Sequence, residues 1–167
     1  MADEAKVAVE PHRETVRPEW VDYNGHMNVA YYVLVFDHGT DIVLERLGLG
    51  RAYRESTGRS VFVVESHVTY EAEVVAGDRL SVSSRVLGRD AKRLHLFHAM
   101  HRDKDGRLAA TNELMFVHVD MGARRPAPLP DDARARIDAA IAAQSADPMP
   151  SQVGRVIGFP PRSPQPR

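Results

Sequence analysis

The chain has 167 residues, 43% of them hydrophobic, with 22 Lys and Arg against 23 Asp and Glu and a formal net charge of −1. That length and composition predict one domain with one sizeable core, and the charge balance gives no reason to expect nucleic acid or an anionic membrane as partner. The absence of cysteine excludes a disulfide scaffold, a Cys-ligated metal and a Cys nucleophile; an N-terminus without a signal-peptide pattern and no apolar run longer than Val29 to Phe36 predict a cytoplasmic protein with no membrane span.

Residues 1–13 read as a loose N-terminus. Glu14 to Val21 predicts a short strand, which Pro18 confines to an edge or an end. Asp22 to Asn28 is polar, carries Gly25, and reads as a turn into a helix. From Val29 the apolar positions Val29, Tyr32, Val33, Phe36, Thr40, Val43, Leu44 and Leu47 fall at helical steps. The run is β-rich in composition, but it lasts about five turns, and length decides for a helix. Asn28 is its expected N-cap and Gly48 or Gly50 its end, and so apolar a helix should be buried on more than one side.

Ser60 to Val75 alternates as a strand, with Phe62, Val64, Ser66, Val68 and Tyr70 on one face and Val61, Val63, Glu65, His67, Thr69, Glu71 and Glu73 on the other. Gly77-Asp78 is a turn, Leu80 to Val86 alternates again, and Lys92 to Arg102 forms the next strand. Asp103-Lys-Asp-Gly106 is a hairpin turn into a last long strand, Arg107 to Asp120. Three prolines, 126, 128 and 130, precede an Ala-rich helix over Asp131 to Ala143. Residues 14–143 thus make the domain, and the Pro-rich tail 144–167 reads as extended or disordered. The expected class is α+β: a long central helix wrapped by a curved antiparallel sheet of about five strands. Open sheet edges and uncovered apolar surface invite a second copy, so a homodimer or homotetramer is expected.

Asp22, Asn24, His26 and Asn28 gather hydrogen-bonding side chains just before the helix, whose first N–H groups and positive dipole end suit a developing oxyanion. A carboxylate beside such a site is what acyl transfer requires. Asp22 would attack the carbonyl or activate water, His26 would donate to the carbonyl or place water, and Asn24 would orient its neighbours. A carboxylate of ordinary pKa, about 4, is a poor base at pH 7, so direct attack suits it better. Helix capping alone explains the same residue types, and on spacing only it is the better explanation of the two. His95, His98 and His101 alternate across one strand and cannot converge on a metal, so no metal site is expected.

Asp22-x-x-Gly25-His26-x-Asn28, with Tyr32 downstream, resembles the 4-hydroxybenzoyl-CoA thioesterase group of hotdog-fold proteins. There an Asp before the central helix attacks the thioester or serves as base. Asp22-x-Asn24-x-His26 also resembles plant acyl-carrier-protein thioesterases, whose site is completed by a Glu from the following strand; Glu73 stands there in this chain. His67 to Asp78, Lys92 to Met100, Leu108 to Met115 and Val153 to Gly158 resemble a narrower branch tied to carnitine and betaine breakdown. Two positions depart from the common hotdog pattern: Val29 follows Asn28 where a second Asn is usual, and Glu73 replaces a Pro.

The resemblance implies an acyl-CoA thioesterase, with betainyl-CoA as the acyl-CoA of that branch. It implies Asp22, Asn24, His26 and Glu73 as catalytic residues, and Gly25, Asn28, Tyr32, Trp20 and His67 as substrate-binding residues. Lys92 and Arg93 would meet the CoA phosphates. No cofactor is implied, since coenzyme A is part of the substrate. A non-catalytic acyl-CoA-binding protein and an enoyl-CoA hydratase are the alternatives.

Overall fold

The computed structural model describes residues 10–159; the first residues of the expected loose N-terminus and the last of the expected tail lie outside them. The elements run β1 (His12–Thr15), a 3-10 turn (Pro18–Trp20), α1 (Val29–Arg46), α2 (Arg51–Thr57), β2 (Arg59–Tyr70), β3 (Arg79–Arg89), β4 (Arg93–Arg102), β5 (Arg107–Asp120), β6 (Arg125–Pro126) and α3 (Asp131–Ala143). The sheet is antiparallel throughout the order β1-β3-β4-β5-β2, with β6 added to β5. It curls around α1, which touches β1, β3, β4 and β5. This is the α+β architecture of one long helix in a curved sheet that the sequence predicts. No helix of the described residues is long and apolar enough to cross a membrane.

Several elements differ from expectation for local reasons. The strand expected over Glu14 to Val21 stops at Thr15, because Pro18 has no N–H to give a ladder and instead opens the 3-10 turn. Helix α2 replaces an expected loop. It buries no residue, so it leaves no apolar period to read. Its signals are Glu45, which accepts the Arg51 N–H at 2.8 Å, and Gly58, whose φ of 66° ends it.

Strand β2 ends at Tyr70, not Val75, and carries a bulge between Val63 and Glu65. The extra residue, Val64, reverses the alternation. Val61 and Val63 therefore share the inner face with Ser66, Val68 and Tyr70, while Phe62 joins Glu65 and His67 outside. The helix stripe is also rotated. Tyr32, Val35, Phe36, Gly39, Thr40 and Val43 are buried, whereas Val29, Val33 and Leu34 are exposed.

Two apolar clusters fill the space between helix and sheet. One joins Trp20, Met27, Tyr32 and Phe36 to Leu80, Val82 and Met100. The other joins Val43 and Leu47 to Leu94, Leu96, Phe116 and the α3 residues Ala133 and Ile137. Near Thr40, buried polar groups line the inner face of the sheet. Thr40 Oγ1 donates to the Phe36 carbonyl at 3.1 Å, so its oxygen must accept from His98 Nε2–H at 2.9 Å. His98 Nδ1 is then the acceptor for Ser84 Oγ at 2.8 Å. Gly39 lets the helix come close, since a Cβ there would meet Val82 Cγ1 at 3.2 Å.

The tail is held for part of its length. Arg85 donates to the carbonyls of Gln144, Asp147 and Pro148, and the Gly154 N–H donates to Glu113 at 2.7 Å on the outer face of β5.

Burial lowers the His98 pKa from 6.5 to about 4. The unfolded chain therefore takes up this proton at a higher pH than the folded one, and stability falls as pH drops from about 6.5 toward 4. The loss attributable to His98 is about 3 kcal/mol in total. An NMR titration of the His98 ring checks it: the ring should stay neutral until about pH 4, and protonation near 6.5 would contradict the burial account.

Candidate active site

Asp22 to Asn28 folds into a tight loop closed by a bridge between Val21 and Met27. The Asp22 N–H donates to the His26 carbonyl at 3.1 Å, and the Gly25 N–H donates to the Asp22 carbonyl at 2.9 Å. Gly25 has φ of 82°, the left-handed conformation that a Cβ would strain. Two further backbone bonds seat the loop. The Met27 N–H donates to the Val74 carbonyl and the Asn28 N–H to the Trp20 carbonyl, both at 2.9 Å.

This frame orients the Asp22 carboxylate. Its Oδ1 accepts the Asn24 N–H at 2.8 Å and its Oδ2 accepts Asn28 Nδ2–H at 3.3 Å. Asn28 works in two directions, because its own Oδ1 accepts the Ala30 N–H at 3.0 Å and caps α1. The capping residue is therefore Asn28, and Asp22 is left half-buried beside the helix start without a capping bond to it. The N–H groups of Ala30 and Tyr31 are both taken by Asn28, so it is the positive end of the helix dipole that the loop faces.

His26 and Glu73 meet at 3.0 Å. Glu73 is not on a strand, as the alternation predicts, but in the connection after β2, and its side chain is 73% exposed. The Met27–Val74 bond is what brings this connection to the loop. Spacing gives no sign of that bond, because it joins backbone atoms far apart in the chain. Asn24 contributes its backbone N–H to Asp22, and the residue is exposed.

The expected substrate-binding residues divide. Asn28 and Gly25 belong to the loop. Trp20 and Tyr32 are buried core beside it. Trp20 stacks on Tyr31 with centroids 5.3 Å apart and carries the Arg17 guanidinium 5.0 Å from its ring centre, so its surface is already in use. Tyr32 packs edge-on against Tyr70; burial pushes its hydroxyl pKa up, and a hydrogen bond with the Val74 backbone partly offsets this. The aromatic ring left open in the loop is Tyr23, 98% exposed.

His67 is not brought to the loop. It lines an outer-face cavity with Glu65, His95, Glu113 and Arg155. Lys92 lies in the β3–β4 turn and Arg93 opens β4, and Asp90 accepts both backbone N–H groups and Arg93 Nε. That turn adjoins the α3-side cluster, whereas the Asp22 loop packs on the other.

A family model described as the thioesterase-like superfamily matches residues 16–137. A betainyl-CoA thioesterase of Pseudomonas aeruginosa is 43% identical over 146 residues, covering 87% of this chain and 92% of that protein. An L-carnitine dehydrogenase/betainyl-CoA thioesterase of Agrobacterium fabrum is 42% identical over 146 residues; the match covers 87% of this chain and spans 30% of that longer protein. Among solved structures, a Staphylococcus aureus protein in complex with CoA superimposes with a TM-score of 0.85 at 31% identity, covering 93% of this chain and 100% of that one.

The double role of Asn28 separates stability from site geometry. Asn28→Ala removes the cap and should cost about 1 kcal/mol, whereas Asn28→Ser keeps a capping oxygen and should cost little. Urea unfolding of the two variants decides. Equal losses would mean that the Asn28–Ala30 bond does not cap the helix.

Proposed function

The chain belongs to the thioesterase-like superfamily, and we infer that it is an acyl-CoA thioesterase, with betainyl-CoA as its substrate. One observation carries the reading: the Asp22 carboxylate is held by Asn24 and Asn28 at the start of α1, in a chain matched over 87% of its length by a betainyl-CoA thioesterase.

In the proposed reaction Asp22 either adds to the thioester carbonyl itself or takes a proton from the water that adds. A new C–O bond forms, the C–S bond breaks, and the CoA thiolate leaves and is protonated. Where Asp22 adds directly, water then cleaves the resulting anhydride, so both routes release the free acid and CoA. The positive end of α1 stabilises the oxyanion. His26, paired with Glu73, donates to the carbonyl or places the water. No cofactor enters, since coenzyme A arrives with the substrate. Tyr23 offers an open aromatic face to a quaternary ammonium.

The working protein is a homodimer or homotetramer in the cytoplasm. Supporting this, β2 is an outer strand of the sheet with Phe62, Val63 and Val64 exposed, and Val29, Val33 and Leu34 leave an apolar flank on α1.

Two measurements test this reading. A panel of acyl-CoAs followed by thiol release should show turnover that is greatest with betainyl-CoA, and Asp22→Ala should lower it at least about a hundredfold. An intact panel with wild type, or full activity in Asp22→Ala, contradicts the assignment. Light scattering should find two or four chains per particle; a monomer contradicts the oligomer.

A further inference from the structure

A second cluster of side chains lies on the two segments that flank the Asp22 loop, and the proposed reaction does not use it. His12 and Glu14 project from the same face of β1, and His38 reaches them from α1. His12 Nε2 lies 3.0 Å and His38 Nδ1 2.9 Å from one and the same oxygen, Glu14 Oε2. The three donor atoms all fall within 4.8 Å of one another. The two imidazole rings stand nearly perpendicular, at 85°, so their nitrogens approach the carboxylate from different directions. All three residues are half-buried, and Glu14 is the most enclosed, with its side chain 12% exposed.

We propose that His12, Glu14 and His38 form a binding site for a divalent transition-metal ion of the zinc class, and that the ion staples β1 to α1. Two neutral imidazoles and one carboxylate are a ligand set that suits Zn2+ and its neighbours. Ligands at 2.0–2.1 Å around a tetrahedral ion stand about 3.3 Å apart, so each imidazole nitrogen needs to part from Glu14 Oε2 by only about 0.4 Å. A metal on His12 Nε2 leaves that ring's proton on Nδ1, and a metal on His38 Nδ1 leaves the proton on Nε2, so both rings bind as neutral tautomers.

Arg17 stands 3.9 Å from the other carboxylate oxygen, Glu14 Oε1, and so opposes the ion with one nearby positive charge. Asp37 and Asp41, both on α1 with His38, supply negative charge, and Asp41 interacts electrostatically with His38. Gly39 lets α1 sit close to the sheet beside the cluster, since a Cβ there would crowd Val82 Cγ1 at 3.2 Å while meeting His12 Cβ at an ordinary 3.9 Å. The site is structural: Asp22 is not among its ligands, and the ion would fix the strand that enters the catalytic loop to the helix that leaves it. Sequence spacing hides it, because His38 is distant from the His12-x-Glu14 pair.

The test uses the full chain, stripped with a chelator and titrated with Zn2+ by calorimetry, with metal content read by mass spectrometry. One Zn2+ should bind per chain and raise Tm. His38→Ala and Glu14→Gln should each weaken binding by more than about tenfold. His95→Ala, which removes the separate His95–Glu113 pair, should leave it unchanged. In wild-type protein, Zn2+ should perturb the NMR ring signals of His12 and His38, a readout that stands even if a variant misfolds. No uptake by wild type, uptake unchanged in both His38→Ala and Glu14→Gln, or ring signals that do not respond would overturn the site.

Discussion

The seating of α1 on the curled sheet governs everything else in this molecule, and one buried hydrogen-bond chain fixes its rotation. Thr40 gives its proton to the Phe36 carbonyl and must accept from His98, which in turn accepts from Ser84. Rotating the helix would leave His98 with an unpaired ring nitrogen in a fully buried position, a cost of roughly 1–3 kcal/mol. Apolar packing alone would tolerate several rotations of so hydrophobic a helix. The polar chain, with the close approach at Gly39, selects the one that buries Val35 and Phe36 and leaves Val29, Val33 and Leu34 outside.

That choice reaches the candidate site through Asn28. The helix begins where Asn28 caps it, and the same side chain grips Asp22. The rest of the loop is pinned from both sides, by Trp20 from the incoming segment and by Val74 from the connection after β2. The second of these bonds delivers Glu73 to His26. A carboxylate with both oxygens engaged by loop donors is pre-positioned, and pre-positioning is what thioester attack needs. Capping, which competes with catalysis as an explanation when only spacing is considered, falls on Asn28 and leaves Asp22 free of that duty.

Much of this was legible in the residues. Period-two alternation located β3, β4 and β5, Gly106 marked the last hairpin, and Asp131 to Ala143 is helical as its composition predicts. The N-cap at Asn28 was readable because capping is a local event. What escaped was set by contacts distant in sequence or by a single inserted residue. The Val64 bulge reverses a strand's faces without altering its apolar content. Helix α2 lacks a buried face to give it a period. The meeting of Glu73 with His26 depends on the backbone of Val74, and the His12, Glu14 and His38 cluster depends on how closely α1 packs against β1.

The Asp22 loop is the proposed place where the thioester is held. A crystal structure with a non-hydrolysable thioether analogue of betainyl-CoA tests it most directly. The reacting carbon should lie beside the Asp22 carboxylate, at about 3–3.5 Å, with the acyl group toward the start of α1. An analogue bound instead in the outer-face cavity of His67, His95 and Glu113, away from Asp22, would contradict it.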